Sequence, residues 1–361
     1  MTAAGMSQEV DGAEPRPHVS VLVVCRNEQR YIEECVLSLM RNGYPEELLE
    51  ILVIDGESED GTRQVVERMR EAHPAVRLLS NPGRITASGL NVGIRSASHG
   101  VIMWVGAHAR YDPGYIETCV RGLGSGAWNV GGVLRTVPRT SGLMPDLIAI
   151  VLTHPFGVGN ARFRMPPSEP MWVDTVFGGC FPRFVFDRVG LFNERLVRGQ
   201  DMEFSIRLRR TGGRILLMPK AVCSYFARST LRDFVRHNLS NGVWAILPFV
   251  YSSVVPVRAR HLVPLAFAGS LLLGVLLALA GIPGMGVAIV VELAAYLGFA
   301  FAASILVARR RRRPVLAVSL PWMFLLLHLT YGIGSLVGLV RATGILLRRL
   351  GGGAARSKAS A

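Results

Sequence analysis

The chain has 361 residues, half of them hydrophobic, with a mean hydropathy of +0.34 and a formal net charge of +14. That leaves room for one sizeable soluble domain plus a smaller region, and the hydropathy points to membrane spans. From residue 245 onward there are twelve Lys/Arg and one acid, Glu292, so the basic excess flanks apolar segments, as at a membrane surface, and argues against nucleic-acid binding. Five cysteines (Cys25, Cys35, Cys119, Cys180 and Cys223) with no C-x-x-C pair argue against a disulfide framework or zinc site and suit reduced cytosolic thiols.

In chain order, residues 1–17 are polar and read as a disordered leader rather than a signal peptide. VSVLVVC (19–25) is a continuous β-branched run, the pattern of a strand buried on both faces. Tyr31, Ile32, Cys35, Val36, Leu39 and Met40 form one helical stripe that ends before Gly43 and Pro45. EILVID (50–55) is a second strand. Its helix starts near Asp60, an N-cap residue type, and Thr62. VRLLS (76–80), a helix with Ile85, Leu90 and Ile94, and GVIMWV (100–105) follow. This βαβαβαβ order predicts a mostly parallel sheet with right-handed crossovers. Residues 141–175, richer in Pro, Gly and Met, read as a long, partly mobile segment. A helix is expected after Gly199, a strand at 214–218, and a helix from Leu231 toward Trp244.

Residues 262–282, 286–308 and 315–340 each suffice to cross a bilayer. Arg309 to Arg313 put the loop between the second and third on the cytosolic side, which agrees with a cytosolic domain at 18–245. The third stretch conflicts with this rule, because a simple crossing sends Arg341, Arg348 and Arg349 outside. Pro321, Gly332 and Gly334 could break it into a hairpin or interfacial helix. The tail 351–361 reads as disordered. The expected arrangement is a multi-pass protein of the cell membrane with a cytosolic catalytic domain and a membrane region at 246–350.

In open α/β sheets ligands bind at the carboxyl ends of the strands. Cys25-Arg26-Asn27-Glu28, Asp55-Gly56-Glu57-Ser58 and Gly106-Ala107-His108 stand at three such ends. Glu28 and Asp55 suit the hydroxyls and ring N–H of a nucleoside, although Glu28 also suits a helix's first turn. Arg84 in NPGRITASGLN can neutralise a pyrophosphate or simply be exposed. Asp201, after Gln200, could deprotonate an acceptor hydroxyl or cap a helix. Glu292 and His328 are ionisable groups within apolar stretches.

VSVLVVCRNEQRYIEECVLSL, IDGESEDGT, NPGRITASGLNVGIRSASHGVIMWVGAHARYDPGYI, FGVGN, VDTVFGGCFPR and VRGQDMEFSIRLRRTGG together resemble the family-two glycosyltransferases, and among them the succinoglycan-biosynthesis ExoA type, over roughly 18–245. The resemblance implies a GT-A fold: a mixed, mostly parallel sheet flanked by helices. It also implies a UDP-sugar donor, inversion, and a divalent metal (Mn or Mg). The implied acceptor is polyprenyl-diphosphate-linked, in exopolysaccharide or cell-envelope glycan assembly, with glucose the favoured sugar and other glycan-assembly enzymes as partners. Carried over by position, Glu28 and Asp55 hold uridine, Arg84 lies near the diphosphate, Ala107 lines the donor site, and Asp201 is the base beside Gln200. Gly178, Gly179 and Arg183 match the acceptor loop, and Arg236, His237 and Trp244 match an R-Q-x-x-x-x-G-x-W element in which His237 replaces Gln. The pattern's first metal-binding carboxylate is Gly106 here, which leaves His108 as the metal ligand. Two rival readings are a polyprenyl-phosphate monosaccharide synthase and a non-catalytic scaffold that binds sugar nucleotides; a transporter ranks lower.

Overall fold

The computed structural model describes residues 16–159, 167–227, 229–255, 257 and 259–359, with side chains up to Arg349. Most of the expected leader, and Asn160 of the FGVGN motif, lie outside the described residues.

The first half alternates strands and helices as its apolar runs predict: β1 (Val19–Cys25), α1 (Ile32–Met40), β2 (Leu49–Asp55), α2 (Thr62–Ala72), β3 (Val76–Ser80), α3 (Thr86–Ser96) and β4 (Val101–Gly106). Every residue of β2 is buried, which is what a strand covered on both faces requires. After β4 come β5 (Ala109–Tyr111), α4 (Tyr115–Leu123), β6 (Asn129–Pro138), α5 (Leu143–Val151), α6 (Pro155–Val158), β7 (Met171–Val173), β8 (Phe177–Pro182), α7 (Phe184–Val189), α8 (Gln200–Arg210) and β9 (Ile215–Ala227).

The nine strands among the described residues form one sheet in the order β3-β2-β1-β4-β8-β6-β9-β5, with β7 also paired to β9. β3, β2, β1 and β4 are mutually parallel, while β8 runs antiparallel to both β4 and β6. Helices cover both faces. One core packs α1, α2 and α4 against the sheet through Ile32, Val36, Val66 and Ile116, and the other packs α3, α7 and α8 through Leu90, Ile94, Phe186 and Phe204.

Three expectations change. The segment at 141–175 is not loop throughout: α5 buries Leu147, Ile148, Ile150 and Val151 in a third cluster with Leu316, Leu320 and Phe324, partners too distant in sequence for local pattern to reveal. The strand expected at 214–218 continues to Ala227, because a shift in its pairing with β6 carries it past Pro219.

The rest is helical: α9 (Leu231–Ile246), α10 (Pro248–Tyr251), α11 (Ala259–Leu279), α12 (Met285–Arg311) and α13 (Val315–Ala359). The last three are long and apolar enough to cross a membrane. The third change concerns α13. It is unbroken at Pro321, Gly332 and Gly334, and continues through the backbone of most of the tail read as disordered. Its glycines serve close approach instead: a β-carbon on Gly332 would lie 2.2 Å from the Pro264 carbonyl oxygen, and one on Gly334 2.1 Å from that of Leu239.

Candidate functional site

The carboxyl ends of β1, β2 and β4 meet in one place. β1 and β2 are in register from Val19–Leu49 to Cys25–Asp55, and Val24 pairs with Gly106. The Gly56 N–H donates to the Cys25 carbonyl at 2.8 Å, joining the first two loops. Asn27 and Glu57, two residues past the ends of β1 and β2, and Arg84, four past the end of β3, hold left-handed backbone at φ 56°, 55° and 58°. Non-glycine residues pay for that conformation, and it persists where surrounding contacts enforce it. Here the contacts are visible. Asn27 Oδ1 accepts from the Glu59 N–H at 2.8 Å, Ser58 Oγ accepts from the Asn27 N–H at 2.9 Å, and Arg84 Nε donates to Glu57 Oε2 at 2.5 Å.

Asp55 is fully buried. Its carboxylate accepts from the Ser58 N–H at 3.1 Å, the Ser58 hydroxyl at 2.5 Å and Arg63 Nη1 at 3.2 Å. It thus orders the loop at 56–63. Asp60 ties the same loop to its neighbour: it accepts from the Thr62 N–H at 2.9 Å and from the Gln29 N–H at 3.2 Å. Burial opposes the charge on Asp60, but the Thr62 and Gln29 donors outweigh it and hold the carboxyl below its ordinary pKa.

Beside this loop, His108 Nδ1 lies 3.2 Å from Glu28 Oε1. The imidazole packs edge-on against Tyr225 at 4.8 Å and near Tyr31 at 6.3 Å between ring centres. The Arg139 guanidinium lies 4.3 Å from the Tyr31 ring centre and donates to the Arg30 carbonyl at 2.7 Å. Ala107 is buried between Gly106 and His108. Gly106 donates its N–H to Tyr111 Oη at 2.7 Å. A β-carbon there would meet Phe177 Cζ at 2.8 Å, so the Phe177 ring occupies the direction a carboxylate would take. Among the described residues no group of three or more His, Cys, Asp or Glu is placed to hold a metal ion. His108 and Glu28 are two donors bonded to each other, which falls short of the oxygen-rich set a hard cation requires.

Asp201 is the second residue of α8, after the left-handed Gly199. Its Oδ1 accepts from the Met202 N–H at 2.8 Å. Burial pushes its carboxyl above the ordinary aspartate pKa, with the Met202 N–H opposing. One turn on, Ser205 Oγ lies 3.2 Å from Thr175 Oγ1, in the segment that leads into β8 and Phe177. The Gln200 side-chain oxygen is buried without a partner among the described residues. Arg198 donates to Ser240 Oγ at 3.0 Å and Asn241 Oδ1 at 2.9 Å, linking the approach to α8 with α9.

Arg183 lies away from this cluster. The Arg183 guanidinium donates to the backbone carbonyls of His99, Ala97 and Ile94 at 3.0, 2.5 and 3.3 Å. These lie at the end of α3 and in the turn that leads into β4, at the opposite end of that strand from Gly106. Gly178 and Gly179 have φ of +66° and +144°; side chains there would collide with the Trp104 carbonyl and Asn129. Their lack of side chains therefore has a packing reason. Trp244 stacks on Tyr251 at 6.2 Å, Arg236 is exposed on α9, and His237 is half-buried there. Conversely, Phe177, Tyr225, Arg139 and Arg198 carry the cleft's contacts without having been picked out in the sequence. Arg198 and Phe177 were within reach, standing in the quoted VRGQD and VDTVFGGCFPR runs, whereas Arg139 and Tyr225 come from segments outside every quoted run.

With that geometry in place, likeness to known proteins is informative. Residues 20–188 match the model described as Glycosyl transferase family 2. The chain is 25% identical over 233 residues to dolichyl N-acetyl-alpha-D-glucosaminyl phosphate 3-beta-D-2,3-diacetamido-2,3-dideoxy-beta-D-glucuronosyltransferase of Methanococcus voltae, covering 62% of this chain and 71% of that protein. It is 26% identical over 252 residues to succinoglycan biosynthesis protein ExoA of Rhizobium meliloti (strain 1021), covering 65% and 75%. Among solved structures it is similar to the mannosyltransferase PcManGT from Pyrobaculum calidifontis in complex with GDP-Man and Mn2+, with a TM-score of 0.55, 22% identity, and coverage of 90% of this chain and 88% of that one. Residues 20–188 carry a family-two glycosyltransferase domain, and the fold is GT-A.

Proposed function

We propose, taking the family-two glycosyltransferase domain at 20–188 as premise, that the chain is an inverting transferase. It moves a sugar, glucose favoured, from a UDP donor to a polyprenyl-diphosphate-linked acceptor at the cytosolic face of the cell membrane. The product would be an intermediate in exopolysaccharide or envelope-glycan assembly. The likeness to a protein named for a dolichyl-phosphate acceptor supports a lipid-linked acceptor, and the likeness to a succinoglycan biosynthesis protein supports exopolysaccharide assembly.

The observation that carries the reading is Asp201. Its carboxylate is half-buried at the head of α8, and partial loss of water there pushes its pKa above the ordinary aspartate value. A base with that character can take a hydroxyl proton near neutral pH. In the proposed step the acceptor oxygen attacks the anomeric carbon while its proton passes to Asp201. The bond from that carbon to the diphosphate oxygen breaks, and UDP leaves with the electron pair. Glu28 and the loop ordered by Asp55 would hold the nucleoside, with Ala107 against the donor. Arg84, fixed by Glu57, would face the diphosphate. Gln200 and α9, with Arg236, His237 and Trp244, would border the acceptor.

The test is transfer of label from UDP-glucose into the lipid fraction by membranes containing the chain, with Asp201→Asn as control. Label that depends on Asp201 supports the reading, and a one-sugar lipid product would instead identify a polyprenyl-phosphate monosaccharide synthase. A second reading, a non-catalytic sugar-nucleotide scaffold, is favoured by the Phe177 ring at the carboxylate position beside Gly106. It predicts donor binding without transfer from any common UDP-sugar.

A further inference from the structure

Along its length, α13 is in contact with the catalytic domain. Near its start, Leu316, Leu320 and Phe324 share a cluster with Leu147 and Val151 of α5 and Phe234 of α9. In its middle, Gly242 of α9 comes so close to Tyr331 that a β-carbon would lie 2.0 Å from the Tyr331 carbonyl oxygen. Toward its end, Ala342 packs with Ile246, Leu247 and Val250, and Arg349 Nη1 donates to the Val250 carbonyl at 2.9 Å. Leu316 to Arg349 is about 50 Å of helix at the rise of about 1.5 Å per residue, longer than a hydrocarbon core of about 30 Å. If α13 crossed a bilayer, it would pull α9 into the lipid with it, including Arg232, Asp233 and Arg236. The burial contrast agrees: 44% of α13's apolar window is covered inside the chain, against 11% for α11 and α12.

The hairpin of α11 and α12 shows the complementary pattern. Its feet touch α13: Gly332 meets Pro264 and Ala268, and Tyr296 Oη lies 2.7 Å from His328 Nδ1. Beyond those contacts, 269–279 and 285–295 are free arms of about 16 Å each, roughly half a hydrocarbon core. From 271 to 291 no side chain is polar. Glu292, just below that stretch, accepts from Ser270 Oγ across the arms at 2.6 Å. The cations stand at the other end, at Arg260 and Arg309–Arg313, and on α13 at Arg341, Arg348 and Arg349. The exposed face of α13 is apolar, with Val318, Trp322 and Val340 more than half exposed.

We infer that this protein is monotopic. The apolar tip of the α11–α12 hairpin ends inside one leaflet, and α13 lies along the surface of that leaflet between bilayer and catalytic domain. The partner is one lipid leaflet with anionic headgroups, which the arginines at the hairpin's feet and on α13 would meet. All the arginines then lie on the catalytic domain's side, which removes the charge conflict of a third crossing. The inference rests on the membrane attachment proposed above, and its test does not depend on sugar transfer.

The test is single-cysteine labelling with a membrane-impermeant maleimide, in sealed right-side-out and inside-out vesicles from cells expressing the full chain. The five native thiols are buried, so background should be low. Arg121→Cys, on α4, reports the side of the catalytic domain. The expected result is that Arg341→Cys is modified only in the orientation that exposes Arg121→Cys, while Ile282→Cys resists in both orientations until detergent is added. Modification of Ile282→Cys from either side, or of Arg341→Cys from the side opposite Arg121→Cys, overturns the inference. Should either variant fail to accumulate in membranes, Ala280→Cys and Arg348→Cys report the same two places.

Discussion

The Phe177 ring stands where a side chain on Gly106 would point, 2.8 Å from the position of its β-carbon. The loss of the carboxylate and the position of the aromatic ring are thus one packing arrangement: Phe177 also lies 6.0 Å from Tyr225, which packs on His108. Restoring an aspartate alone should therefore fail. Gly106→Asp is expected to lower stability by about 1–3 kcal/mol, the usual cost of overpacking. Gly106→Asp combined with Phe177→Ala should recover part of that loss and add a manganese-dependent rise in melting temperature. Thermal melts of the three proteins with and without Mn2+ check both statements.

Asp201→Asn should separate activity from stability. With the proposed base removed, transfer is expected to fall about 10²–10⁴-fold. Stability should move the other way. Burial raises the folded-state pKa of Asp201 above its unfolded value. The folded form therefore binds the proton more readily, and the burial penalty is absent at pH below the unfolded pKa. It grows as pH rises through the folded value and is fully present above it. At neutral pH the amide removes that penalty, so the variant should melt higher than wild type, and the gap should close on acidification. Wild-type kcat/KM should fall as pH drops through the raised pKa, because the base must be ionised.

Arg183→Ala is expected to cost about 2–3 kcal/mol, since charged hydrogen bonds to carbonyls at three positions are lost. Acceptor KM should stay within about twofold, because the guanidinium ties the end of α3 to the turn before β4, at the far end of that strand from Gly106. A large KM effect at unchanged stability would return Arg183 to the acceptor site. Denaturant melts alongside transfer kinetics decide this.

The seam between α9 and α13 makes an unequal pair of glycine substitutions. Gly242→Ala places a β-carbon 2.0 Å from the Tyr331 carbonyl oxygen, whereas at Gly269 the same carbon meets nothing within 4 Å. The first should destabilise by about 1–3 kcal/mol; the second should be neutral or gain up to about 1 kcal/mol from helix propensity. Protease resistance of the detergent-purified chain, compared between the two, is the measurement.

Much of the sheet could be read from sequence because its signal is local. The run at 19–25 is apolar and β-branched because both faces of β1 are covered, and the strand has the same bounds. Asp55 was legible as a buried acid terminating such a run, but not that Ser58 and Arg63 occupy its carboxylate. The cleft's aromatic wall was not legible at all, since Tyr31, Phe177 and Tyr225 meet only when α1, β8 and β9 come together. The same reason hid α5: Gly142 and Pro145 read as loop punctuation, and what its apolar residues pack against, Leu316, Leu320 and Phe324, is far away in sequence. Apolar length likewise marked α13 without revealing that much of its hydrophobicity is spent on protein neighbours.

The direction of β8 has one more implication. Because it runs against β4, with Trp104 opposite Gly179 and Val101 opposite Pro182, a six-residue strand spans the whole depth of the sheet. Its first residue, Phe177, lies against Gly106 in the candidate site, while Arg183, just past its last, fastens the scaffold. A contiguous motif here is therefore two instructions written back to back. Substitutions a few residues apart should sort into those that alter what the enzyme accepts and those that alter how long it lasts, with no gradient between them.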